Sequence, residues 1–158
     1  MATCTRSDIS LLVDRERIQR RCRANAWGAC IVTAPNLSFG PYDGLSGAPA
    51  TTSGTAVITC NEAPPPTVSL EIGPSGVSGG FFPRQMQQQG GGDRLAYNFY
   101  TTAGAGVVWG DGSGGTATRS ARVTRGKPWV VTIYGRVPAG QNVSAGSYAD
   151  TLAITINF

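Results

Sequence analysis

Apolar and polar residues alternate along most of this chain, the period of a strand with one face in a core. Ala56, Ile58 and Cys60 share one side of the run Thr55 to Cys60, and Val68, Leu70 and Ile72 do the same in Thr67 to Ile72. Leu95, Tyr97 and Phe99 repeat the pattern, followed by Trp129, Val131 and Ile133. It is clearest at the end, where Leu152, Ile154, Ile156 and Phe158 alternate with Ala153, Thr155 and Asn157. Between the runs stand turn formers: Gly44 with Ser46 and Gly47, Pro64 to Pro66, Gly73-Pro74, Gly90 to Asp93, and Gly110 to Gly115,. No segment carries the apolar stripe of a long helix; Arg15 to Arg23 has helix formers but only Ile18 as an apolar anchor,. The spacing predicts an all-β, two-sheet sandwich. Gly73 to Gly80 and the glutamine-rich Gln85 to Gln89 read as long loops, and there is no internal repeat,.

Composition agrees with many short strands. The 158 residues include 22 glycines and 10 prolines, and only 14% are charged, against roughly 25% in an average globular protein. One domain with an extension fits this length. The net charge of +4 is unevenly placed, because Arg6, Arg15, Arg17, Arg20, Arg21 and Arg23 supply six of the thirteen cations. No nucleic-acid motif accompanies this arm, so it reads as a solvated or partner-facing segment and no nucleic-acid partner is expected.

The chemistry is equally restrictive. Without any histidine and with Lys127 as the single lysine, no Ser-His-Asp or Cys-His arrangement can form. Most carboxylates fall in turns, where aspartate caps backbone, so no enzyme, cofactor or metal site is expected. The Asp111 to Gly115 loop lacks the further carboxylates of a calcium loop and the Lys-Ser/Thr end of a phosphate loop,. It reads as a glycine-rich turn. The aromatics Trp27, Trp109, Trp129, Tyr97, Tyr100, Tyr134 and Tyr148 suit core packing first, with a glycan-binding face as the alternative. Cys4, Cys22, Cys30 and Cys60 contain no Cys-x-x-Cys pair, which favours disulfides in an oxidising compartment, with three pairings open. Residues 1–20 hold no apolar core of a secretory leader,. The expectation is a start further upstream, or a Met1 of recombinant origin. No stretch approaches the roughly 18 apolar residues of a membrane-spanning helix.

Five segments occur in a telling order: Phe39 to Gly47 leading into Ser53 to Cys60, Arg94 to Tyr100, Val108 to Gly112, Ile133 to Gln141, and Ala145 to Phe158. In this order they resemble the spore coat protein U domain, a family that includes the pilins of archaic chaperone-usher systems. The resemblance covers about Cys30 to Phe158. It implies a domain over residues 29–158, an immunoglobulin-like β-sandwich lacking its final strand, and a groove along the C-terminal strand formed by Leu152, Ile154, Ile156 and Phe158. It further implies a Cys30–Cys60 disulfide, leaving Cys4 and Cys22 as a second pair. A subunit of this kind is carried through the periplasm by a chaperone, assembled by an outer-membrane usher and displayed on the cell surface as a pilus, fimbria or spore coat. It polymerises with other copies of itself when a donor strand fills the groove.

Residues 1–28 would then be an extension carrying that donor. Asp8 to Asp14 is the one candidate, with Ile9, Leu11 and Val13 on one face of an extended strand,. The alternative is an ordinary first strand folded onto its own sheet. A Cys4–Cys22 bond within one subunit would loop this segment and hinder its insertion into a neighbour. The alternative function is a secreted carbohydrate-binding or adhesive sandwich module.

Overall fold

A computed structural model describes residues 3–4, 8–10, 30–34, 36–61 and 63–158, the first two stretches through their backbone. No helix occurs among them. The strands are β1 (Thr3–Cys4), β2 (Asp8–Ser10), β3 (Cys30–Thr33), β4 (Ala50–Cys60), β5 (Thr67–Ile72), β6 (Arg84–Gln88), β7 (Arg94–Tyr100), β8 (Arg119–Arg122), β9 (Trp129–Val137), β10 (Tyr148–Ala149) and β11 (Thr151–Asn157). They form two antiparallel sheets. One runs β1-β11-β5-β8, with β2 also on β11, and the other runs β10-β6-β7-β9-β4-β3.

The period-two runs become strands because their apolar faces meet across the gap between the sheets. Val68, Leu70, Ile72, Leu152, Ile154 and Ile156 face inward from the first sheet, and Ala56, Ile58, Leu95, Tyr97, Phe99, Val131 and Ile133 from the second, all buried in one core. Fully burying one such aliphatic or aromatic side chain contributes about 1.5–3 kcal/mol. The segment between β3 and β4 closes one end of this core. Phe39 packs edge-on to Tyr97 at 5.8 Å between ring centroids and stacks on Phe99 at 6.4 Å. A Cβ on Gly135 would come within 2.9 Å of the Phe39 ring and 2.8 Å of the Thr52 methyl, so only glycine leaves room for this lid.

Two differences from the sequence pattern stand out. The stretch expected to be a glutamine-rich loop is strand β6, with Arg84 and Met86 buried and paired in register with Tyr97 and Leu95. Its polar composition hides an inward face held by only two side chains. Strands β4 and β9 also extend past their apolar runs, pairing from Ala50 with Val137 to Ile58 with Trp129. Their added residues face solvent outside and Phe39 inside. The disulfide joins Cys30 and Cys60, directly opposite each other on β3 and β4 and both buried.

Candidate functional site

Strand β11 presents Leu152, Ile154 and Ile156 to the core and Thr151, Ala153, Thr155 and Asn157 to the outer face. Phe158, half-buried, packs against the same core. One edge of β11 is occupied by β5, with Ile154 opposite Ile72 and Ile156 opposite Leu70. The other edge is met by two short strands from the N-terminal extension. Thr3 pairs with Asn157 and Cys4 with Ile156; Asp8, Ile9 and Ser10 pair with Ala153, Leu152 and Thr151. The extension is thus the covering strand of an edge whose inner face is apolar. An uncovered edge of that kind is a template for pairing.

Of the proposed donor residues, Ile9 lies opposite Leu152 in register, and Leu11 and Val13 fall outside the described residues. Cys4 stands opposite Ile156, and Cys22 lies outside the described residues. Among the aromatics considered for glycan binding, Tyr97 and Trp109 are core residues; Trp109 donates its indole N–H to the Leu70 carbonyl at 3.0 Å. Trp129 and Tyr148 are half-buried against the core, and Trp27 lies outside the described residues. Asp111 is engaged in its own loop: Oδ1 accepts from the Ser113 backbone N at 2.8 Å and from Ser113 Oγ at 2.7 Å. These bonds hold its carboxyl below the usual range. Among the described residues, no group of three His, Cys, Asp or Glu side chains is placed to hold a metal.

What sequence reasoning missed is the polar cluster at one end of the antiparallel β5–β11 pairing, where the C-terminal end of β5 meets the start of β11. Arg84 is fully buried. Its Nε donates to the Gly73 carbonyl at 3.0 Å and Nη1 to Asn98 Oδ1 at 2.9 Å. Nη2 donates to the carbonyls of Ile72 at 3.0 Å, Gly73 at 2.8 Å and Trp109 at 2.8 Å. The guanidinium also lies 5.1 Å from the Phe81 ring centroid, within cation–π range. Burial lowers its pKa to about 10, against the opposing pull of Tyr97, Asp150 and Asp111, so it remains cationic at neutral pH. At the start of β11, buried Asp150 accepts from Tyr97 Oη at 2.8 Å through Oδ2 and from the Thr151 N–H at 2.8 Å through Oδ1. Burial, then the charge and hydrogen bond of Asp150, raise the Tyr97 pKa far above its ordinary value, which keeps the phenol a donor. The cluster holds the C-terminal end of β5 and the first residue of β11, so the apolar edge is presented in one register. An inward Arg84 two residues before Met86 is its only trace in the sequence.

A two-sheet antiparallel sandwich, its C-terminal strand β11 flanked by β5 on one side and by the short strands β1 and β2 on the other, places the chain in the all-β sandwich class. The chain belongs to the Spore Coat Protein U domain family, whose model matches residues 18–155. It is 32% identical over 147 residues to Protein U of Myxococcus xanthus, covering 85% of this chain and 80% of that protein. Its fold is similar to that in the crystal structure of the CsuC–CsuE chaperone–tip adhesion subunit pre-assembly complex from archaic chaperone-usher Csu pili of Acinetobacter baumannii. That match has a TM-score of 0.55 at 18% identity and covers 83% of this chain and 40% of the other. The family is of a structural kind, named for a spore coat protein.

Proposed function

We propose that the chain is a structural subunit of a bacterial surface fibre or coat that polymerises by donor-strand exchange. The observation that carries this reading is the edge of β11, whose covering strands come from an extension tethered to the domain through residues 11–29. Fully extended, those nineteen residues span at most about 65 Å, enough to reach the same edge on a neighbouring subunit. Ile9, Leu11 and Val13 would fill the apolar face beside Leu152, Ile154 and Ile156, with ladder hydrogen bonds supplying affinity. A contact in which each extension serves the next subunit does not close on itself and grows into a filament. Family membership and the fold shared with a chaperone-bound pilus subunit support a periplasmic chaperone and an outer-membrane usher as partners, and display on the cell surface as the destination.

The test is thermal unfolding of a chain beginning at Gly28, with and without a peptide spanning Ser7 to Ile18. A large rise in Tm with the peptide, lost when its Leu11 is replaced by Asp, is the expected result. A truncated chain already stable and indifferent to the peptide refutes exchange through this segment.

A further inference from the structure

The outer face of the second sheet carries an arrangement that strand completion does not use. On three adjacent strands, Ser53, Tyr134 and Tyr100 lie opposite one another in register, and directly opposed residues share a face. Two residues along β9 on that face, Arg136 stands opposite Thr51. These five side chains, with the Ala103-Gly104-Ala105 loop as a rim, border an open cleft of about 690 Å³, within the range of small-ligand sites. Ala105 holds a left-handed backbone, with φ of 62°, a conformation that residues with a side chain rarely adopt and that gathers at ligand-contacting loops.

Arg136 is the unusual member. Its Nε is buried and has no hydrogen-bond partner among the described residues. Arg84, the buried arginine of the core cluster, is by contrast bonded through all three of its nitrogens. Asn98, opposite Arg136 on the other side, is already committed to Arg84 and to the Phe81 carbonyl. The β4–β9–β7 face therefore presents two neighbouring phenol rings, a guanidinium that no carboxylate of the described residues pairs with, and the exposed hydroxyls of Thr51 and Ser53. Planar guanidinium groups match carboxylates in a two-pronged fashion, and tyrosines offer an apolar face with a polar tip.

We propose that this cleft binds a carboxylate-bearing saccharide, its ring lying across Tyr100 and Tyr134, its carboxylate on Arg136 and its hydroxyls on Thr51 and Ser53. A separate basic group, Arg119, Arg122, Arg125 and Lys127, is exposed on and just after the edge strand β8 of the other sheet. It supplies the control, because an unspecific attraction for polyanions would act there as well.

The test is isothermal titration of the full chain with three acidic sugars: trigalacturonate, an alginate trimer and sialyllactose. The methyl ester of trigalacturonate and inorganic polyphosphate serve as comparators. At least one acidic sugar is expected to bind saturably, with the corresponding neutral ester weaker by about tenfold or more, the value of a charged hydrogen-bonded pair. Arg136→Gln and Tyr134→Ala should each lose the same order of affinity, Tyr134→Phe should retain it, and Arg122→Gln with Lys127→Gln should leave it unchanged. Unaltered melting temperatures establish that the variants are folded; should Tyr134→Ala melt early, Arg136→Gln alone decides. Absence of binding by all three sugars overturns the proposal. So does equal binding of ester or polyphosphate, or a loss caused by the β8 variants and not by Arg136→Gln.

Discussion

Replacing Arg84 with methionine keeps an unbranched side chain of similar length and deletes every donor. Four acceptors lose a partner at once: the carbonyls of Ile72, Gly73 and Trp109 and the side-chain oxygen of Asn98. An unsatisfied buried acceptor costs about 1–3 kcal/mol. The loss is offset in part because a buried cation, whose pKa is lowered to about 10 by desolvation, no longer has to be dehydrated. Breaking a buried charged network from one side typically costs about 3–5 kcal/mol, and the same range is expected for Arg84→Met. With a urea m-value of about 1.5–2 kcal/mol per M, the midpoint falls by roughly 2 M. Arg84→Lys retains a charge but not the planar fork, cannot reach the carbonyls of β5 and of Trp109 together, and should fall between the two. The assay is equilibrium urea unfolding of the oxidised protein, followed in parallel by tryptophan fluorescence and far-ultraviolet dichroism so that two-state behaviour is checked. A loss below about 1 kcal/mol for methionine, or none for lysine, refutes the claim that this cluster holds β5 to β11.

Three further outcomes follow from neighbouring features. Tyr97→Phe removes the donor from buried Asp150 and should cost about 1.5–3 kcal/mol, read from the same urea curves. Replacing Cys30 and Cys60 by serine opens a loop with a sequence separation of 30, and chain entropy puts the loss at about 3–4 kcal/mol; a change under 1 kcal/mol would contradict it. Glu71, its pKa raised by burial and by Asp111 and lowered by its bond to Asn157, destabilises the fold when ionised. Stability from this group is present below its unfolded pKa and lost as pH rises through the higher folded one. Glu71→Gln keeps an acceptor for Asn157 Nδ2 and should therefore raise Tm at pH 7 with no gain below about pH 4, where the carboxyl is protonated in both states; a drop in Tm at pH 7 would refute this sign.

The alternation of apolar residues determined the class of fold from the sequence alone. Leu70 and Ile72, or Leu152 to Ile156, share a face in any extended strand, because the pleat is a local property of the backbone. The turns at Pro64 to Pro66 and Gly110 to Gly115, the missing histidine and the C-terminal strand were readable on the same local terms, and the order of motifs named the family. Only the tertiary structure decided which distant groups meet. Arg84 reaches Trp109 and Tyr97 reaches Asp150 across 25 and 53 residues, and neither contact leaves a periodic trace. Strand β6 was hidden for the same reason: with two inward residues, Arg84 and Met86, its place comes from pairing to β7, not from its own composition. The cleft at Tyr100, Tyr134 and Arg136 likewise exists only through the registers of β4, β7 and β9. Register and partner choice are set when the two sheets close on a common core, a global balance of packing and hydrogen bonding that no window of local sequence contains.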